Sequence, residues 1–166
     1  MTDPHENTAV AGLFDAHSRA LLLYARQWVG IEGAEDVVQR VFVRMVRSGQ
    51  LPSEPRAWLF RCVRNEAISY RRSEHRRSRR EQVVASDAKG WFVRRPEDRL
   101  DANDAQAALE SLPPDQREVI MLRLWSGLTL MEIAAITELA VSTVHARYAT
   151  AVAAVRQKLE NPCRKS

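Results

Sequence analysis

Two groups of side chains in this 166-residue chain have the types and spacing to do chemistry, and the chemistry is recognition rather than bond-making. Between Arg56 and Arg80 stand nine arginines, opposed within the segment by Glu66 and Glu74 alone. Nine against two leaves +7 there, while the whole chain carries +4, so the remaining residues sum to −3. A basic block inside a nearly neutral chain is the footprint of a polyanion partner; the bland alternative is a solvated, arginine-rich helix end. The second group lies in Leu112–Arg147, LPPDQREVIMLRLWSGLTLMEIAAITELAVSTVHAR, where two short helices meet at a tight turn and the second carries a sparse polar face. That is the layout of a helix-turn-helix, which sets one helix in the DNA major groove. No Ser/His/Asp or Cys/His constellation, metal-ligand cluster or phosphate-binding glycine loop occurs, and glycine totals six, so neither catalysis nor a metal or organic cofactor is expected.

On a helical wheel the last helix separates cleanly. Val144, Tyr148, Ala151, Val152 and Val155 fall on one side and should pack against Ile133, Ile136 and the preceding helix. The other side offers Thr143, Ala146, Ala149, Thr150, Ala153 and Gln157, flanked by His145 and Arg147. A face this small and smooth can approach base edges closely; threonine and alanine methyls suit thymine methyl groups, and Arg147 can reach a guanine or a phosphate. The competing reading is a surface face rich in good helix formers.

The elements that must position these groups are helical throughout. Hydrophobic residues make up 45% of the chain and recur at three- and four-residue spacing, with little β-type alternation, so the expected fold is all-α. No apolar run nears the roughly 20 residues a bilayer span requires, and MTDPHENTAV has no basic start followed by an apolar stretch, so neither an anchor nor a signal peptide is expected. Cys62 and Cys163 lack metal-like spacing and read as free thiols in a reducing cytoplasm.

In the first half, one helix is expected over about Val10–Val29. A turn bracketed by Gly30 and Gly33 follows, then a second helix over about Ala34–Arg47. The second helix buries Val37, Val38, Val41, Phe42 and Met45 and turns Asp36, Gln39, Arg40, Val43 and Arg47 outward. Ser53 is the candidate N-cap of a third helix that starts near Pro55 and reaches the Arg76–Arg80 cluster. Residues 81–100 lack sustained periodicity and read as a linker, with Trp91 and Phe92 fitting contact with a neighbouring domain better than a ligand site. The second half is expected to carry helices over about Asp101–Ser111, Asp115–Ser126, Leu130–Thr137 and Ser142–Leu159, with Thr129 and Glu132 forming a capping box.

Taken together, the two halves resemble the extracytoplasmic-function group of RNA polymerase sigma factors, in the sigma-70 superfamily. The resemblance runs from about Leu13 to Leu159. It rests on Ala34-Glu35-Asp36-Val37-Val38-Gln39, then Val41-Phe42, Pro55-Arg56-Ala57-Trp58-Leu59-Phe60 and Val63-Arg64-Asn65. In the second half it rests on Leu112-Pro113-Pro114, Gln116-Arg117-Glu118-Val119, Gly127-Leu128-Thr129, Glu132-Ile133-Ala134 and Ser142-Thr143-Val144.

The resemblance implies two small helical domains, a sigma domain 2 over residues 8–80 and a helix-turn-helix sigma domain 4 over 101–160. Their implied partners are core RNA polymerase, through its β′ clamp helices and β flap, and promoter DNA; an anti-sigma factor is a further partner. Asp36, Gln39, Arg40 and Val43 would meet the polymerase. Arg61, Arg64, Asn65, Arg71 and Arg72 would bind and help melt the −10 element, since single strands are held by basic tracks and stacking surfaces. Trp58 fits a core position better than a stacking one. Ser142, Thr143, His145, Arg147 and Thr150 would read the −35 element. The chain departs from the family in having Arg40 where an acidic residue is common. It also has Glu138 where the helix-turn-helix usually has glycine, and a bend of different geometry is expected there because glutamate reaches positive φ only at a cost. The runner-up is a stand-alone helix-turn-helix regulator of duplex DNA, which leaves the first-half helices without a task.

Overall fold

A computed structural model of the chain describes residues 4–81 and 100–160. Among them are six helices and no strand, in two compact units, Met1–Trp91 and Phe92–Ser166. The expected linker core with Trp91 and Phe92, and Cys163, lie outside the described residues.

The first unit holds α1 (Pro4–Ser48) and α2 (Pro55–Glu81). Here the chain departs from the expected helix–turn–helix. Helix α1 begins before Val10 and breaks at a single residue, Gly30, at φ 75° and ψ −172°, a conformation open in practice only to glycine. Gly33 does not bracket a turn. It sits inside the helix, buried, because a Cβ there would lie 3.0 Å from Val29 Cβ and 3.1 Å from a Tyr70 ring carbon on α2. The missing side chain lets the second arm of α1 approach α2. The start of α2 also shifts by one residue from the Ser53 cap. The Trp58 amide donates to the Glu54 carbonyl at 3.0 Å, so Glu54 holds the capping position and Pro55 the first helical one. Leu21, Tyr24 and Ala25 from the first arm are buried with Val37, Val41 and Met45 from the second and Leu59, Phe60, Val63 and Ala67 from α2 in the core. Tyr24 and Phe60 stack edge-to-face with ring centres 5.6 Å apart. Each large side chain buried this fully contributes about 1.5–3 kcal/mol.

The second unit holds α3 (Leu100–Glu110), α4 (Pro114–Leu124), α5 (Leu130–Thr137) and α6 (Val141–Glu160). Arg117 on α4 closes the end of α3. It donates to the carbonyls of Leu109, Glu110 and Leu112 at 3.1, 2.7 and 2.9 Å, satisfying acceptors that a helix end leaves without intrahelical donors. Leu109, Leu112, Ile120 and Ala151 form a core cluster covered by Tyr148, Val152, Ala154 and Val155 of α6. Helix α4 ends at Leu124, short of Ser126. Thr129 and Glu132 make the expected capping box, the Glu132 amide donating to Thr129 Oγ1 at 3.2 Å and the Thr129 amide to the Glu132 carboxylate at 2.7 Å.

The turn from α5 to α6 corrects an expectation. Glu138 does not divert the bend; it adopts the left-handed conformation itself, at φ 59° and ψ 36°. The amides of Glu138 and Leu139 both donate to the Ala134 carbonyl, the second at 3.1 Å, closing the helix end. The turn keeps a glycine-like geometry at a cost of about 1–2 kcal/mol to a residue with a Cβ.

Candidate nucleic-acid and polymerase interfaces

On α2 the apolar residues that face α1 leave the opposite side to polar groups. Arg61, Asn65 and Arg72 are all exposed, and their spacing of four and then seven residues sets them on one face. Arg64 and Arg71, also seven apart, occupy its flank. Arg64 is half-buried, and the Arg71 guanidinium lies 5.4 Å from the centre of the Trp28 ring of α1. A cation held over an indole is attracted by the ring quadrupole and loses freedom of movement. The five predicted residues therefore form one exposed stripe of three and a flank of two, the latter partly anchored on α1. Trp58 is half-buried, neither fully in the core nor presented to solvent. His75, Arg76 and Arg77 extend the exposed basic end of the helix.

The α1 face divides in a way that its sequence did not announce. Arg40 pairs with Asp36 at 2.8 Å and with Glu66 of α2 at 3.4 Å, and Arg44 pairs with Glu66 at 3.0 Å. Arg40 also lies 5.8 Å from the centre of the Tyr70 ring. The Arg40 guanidinium is thus drawn toward α2. Gln39 and Val43 remain exposed and form a ridge. On one side of it is an apolar groove of about 670 Å³ walled by Phe14, Leu22, Val38, Phe42 and Val46. On the other is a cleft of about 400 Å³ lined by Arg40, Arg44, Arg47 and Glu66. Phe14 is 46% exposed although it stacks on Phe42 with ring centres 5.0 Å apart. Phe14, Arg44, Val46 and Glu66 were absent from the expected site. The signal for Phe14 and Val46 is an apolar stripe wider than the core can cover.

On α6, Ser142, His145, Ala146, Ala149, Thr150 and Ala153 are exposed and Thr143 is half-buried. Val144 and Ala151 point inward, as the helical wheel requires. The Thr150 hydroxyl donates to the Ala146 carbonyl at 2.9 Å, leaving its oxygen as an acceptor for an outside donor. Arg147 lies on the flank, with Nε 3.3 Å from Oδ2 of Asp115 on α4. The predicted set is therefore brought together on one helix, with its arginine held from the side.

Cys62 is half-buried, and burial pushes its thiol above the ordinary range despite the neighbouring Arg44 and Arg61, so it stays protonated and unreactive at neutral pH. Among the described residues no three His, Cys, Asp or Glu side chains gather as metal ligands, and no helix is long and apolar enough to cross a membrane.

Residues 13–77, spanning most of α1 and α2, match the Sigma-70 region 2 family, and residues 102–155 match Sigma-70, region 4. The ECF RNA polymerase sigma factor SigL of Mycobacterium tuberculosis is 31% identical over 164 residues, which is 93% of this chain and 91% of SigL. The chain belongs to the sigma-70 family, in its ECF group. It is an RNA polymerase sigma factor, a protein of transcription initiation. The ECF sigma-E factor of Escherichia coli is 32% identical over 139 residues, 75% of this chain and 73% of that one. EcfG of Rhodopseudomonas palustris is 35% identical over 123 residues, 69% of this sigma factor and 64% of EcfG. Among solved structures, the sigma factor RpoE in complex with the anti-sigma factor NepR from Bartonella quintana aligns with a TM-score of 0.73 at 27% identity, over 92% of this chain and 98% of RpoE. CnrH in complex with the cytosolic domain of CnrY aligns at 0.61 with 25% identity, over 95% and 91% of the two chains.

Proposed function

We propose that this sigma factor is a non-catalytic, cytoplasmic specificity subunit that works as a two-part promoter clamp. Residues 8–80 form the part that grips polymerase and melts DNA, residues 101–160 the part that reads duplex, and 81–100 the connection between them. The observation that carries this division is the contrast between an arginine-dense α2 and the charge-poor first half of α6 in one chain. The exposed face of Arg61, Asn65 and Arg72, with Arg64 and Arg71 beside it, takes the non-template strand of the −10 element. A basic track binds a strand independently of its sequence, and its binding energy offsets the few kcal/mol needed to unstack each base. On α6, Ser142, Thr143, His145, Arg147 and Thr150 meet base edges of the −35 element, while the second unit also meets the β flap.

The ridge of Gln39 and Val43, with Asp36 and Arg40 beside it, docks on the β′ clamp helices. The apolar groove next to that ridge supplies the contact area that a polar face alone would lack. The complex of RpoE with the anti-sigma factor NepR motivates a further partner for this chain, an anti-sigma factor.

Reconstitution tests the whole reading. Core polymerase supplemented with this chain is expected to gain promoter-specific runoff transcription on genomic fragments and to co-elute with it. Core that gains no specific start site on any fragment, beside a chain that shifts duplex DNA alone, would return the protein to the class of independent regulators.

A further inference from the structure

The flank of the reading helix carries more than the recognition residues themselves. Arg147 is the only lysine or arginine between Val141 and Val155. The residues around it on that face, Ser142, Thr143, Ala146, Ala149 and Thr150, carry no charge. Its Nε lies 3.3 Å from Asp115 Oδ2, with the two side chains 31% and 47% exposed, and among the described residues no other group pairs with its guanidinium. We propose that Asp115 is a specificity-determining positioning residue: its carboxylate sets the direction of Arg147 for one base position and holds that guanidinium back from phosphates. This rests on α6 being the helix that reads the −35 element.

The geometry explains how one carboxylate does both. The carboxylate approaches Nε alone, as an ion pair, and leaves the two terminal nitrogens, the pair that binds guanine O6 and N7 together, without a partner among the described residues. A partly exposed ion pair contributes little to stability, so its main consequence is conformational. A long side chain that would otherwise sample many rotamers is ordered before DNA arrives. The negative charge also works against the wrong contact. An arginine swinging toward the backbone would abandon its carboxylate and bring phosphates toward it, a repulsive element of the kind specificity requires. The competing role is structural, because Asp115 stands in the first turn of α4, where a carboxylate complements the helix dipole.

The test uses the full chain assembled with core polymerase, selected on duplex promoters randomised through the −35 region. Base preference at each position is read by sequencing the retained DNA. Arg147→Ala is expected to erase the preference at one position. Asp115→Asn should weaken the preference at that same position by about 5-fold or more, and should steepen the salt dependence of non-specific duplex binding by about one released counterion. Asp115→Glu keeps the charge at the helix start and should retain part of the preference. If Asp115→Asn keeps the wild-type preference and lowers only the melting temperature, the residue is a helix-end charge and the proposal is overturned. If Asp115→Asn does not fold, an undiminished preference in Asp115→Glu overturns it and a weakened one supports it. A wild-type holoenzyme without preference at any −35 position, or an Arg147→Ala pattern identical to wild type, removes α6 from DNA reading and Asp115 with it.

Discussion

Helices α2 and α6 both turn a polar face outward, and the two faces are built on opposite principles. Nine arginines fall within residues 56–80, and Arg61, Arg71, Arg72, Arg76 and Arg77 among them are exposed on α2. The first half of α6 carries one arginine, already paired, among alanines, threonines and a serine. A dense positive track binds phosphate through counterion release whatever the bases are, and its strength falls steeply with salt. A smooth face with few charges has little affinity to spend on the backbone and gains from close approach to base edges. Under the proposed function the two regions divide affinity and selectivity between them. A grip need not discriminate if a reader elsewhere in the chain does, and a reader need not hold tightly if the grip does.

The largest expected effect tests whether the roles are truly divided. Phe60→Ala in the first unit and Ile120→Ala in the second each empty a fully buried position, at about 3–5 and 2–5 kcal/mol respectively. Against the 5–15 kcal/mol that holds a typical domain, either leaves little margin. With urea titration to confirm the loss, Phe60→Ala should abolish co-elution with core polymerase and all initiation. Ile120→Ala should keep co-elution and lose initiation chiefly where a −35 element is needed. Equal loss of both activities in both variants would break the division.

A smaller effect sharpens it. Arg71→Ala combined with Arg72→Ala removes one residue from the exposed stripe and one from the flank over Trp28. Core binding should persist while open-complex formation weakens. The slope of log affinity against log salt on single-stranded −10 DNA should fall by about 1.4, or roughly 0.7 per lost contact. An unchanged slope with reduced core binding would move these arginines from DNA to docking.

What could be read from the sequence follows the range of the forces involved. The capping box of Thr129 and Glu132 is local hydrogen bonding over three residues, and it forms as the pattern predicts. The inward set on α6 is helical periodicity, and Val144 and Ala151 obey it. The pairs Arg40–Glu66 and Arg147–Asp115 join residues far apart in the chain, so no spacing announces them. Arg117 was legible as part of a motif but not as the group that closes α3, because that depends on where the next helix docks. Gly30 and Gly33 look alike in sequence. Only the packing separates them, one needed for its backbone freedom and the other for the space it leaves beside Tyr70.

Glu138 gives the smallest predicted effect and the one that bears most directly on the reading helix. The first unit makes its sharp break with Gly30, whereas the second makes its turn with a glutamate held at φ 59°. Relieving the left-handed conformation with Glu138→Gly gains about 1–2 kcal/mol, offset by the roughly 0.5–1 kcal/mol of extra freedom that glycine has in the unfolded chain. The net is a stabilisation of about 0–1.5 kcal/mol, equivalent to a rise of at most roughly 12 °C in the melting temperature of a unit this small. Glu138→Asn should recover a similar amount, since asparagine tolerates the same backbone without glycine's entropy cost. Because the turn already has the glycine-like geometry, base preference at the −35 element should not change. A lower melting temperature in both variants would mean that the exposed Glu138 side chain makes a contact stronger than its backbone strain. A shifted base preference would mean that the strained residue sets the angle at which α6 enters the groove, making the α5–α6 turn part of the reader rather than its support.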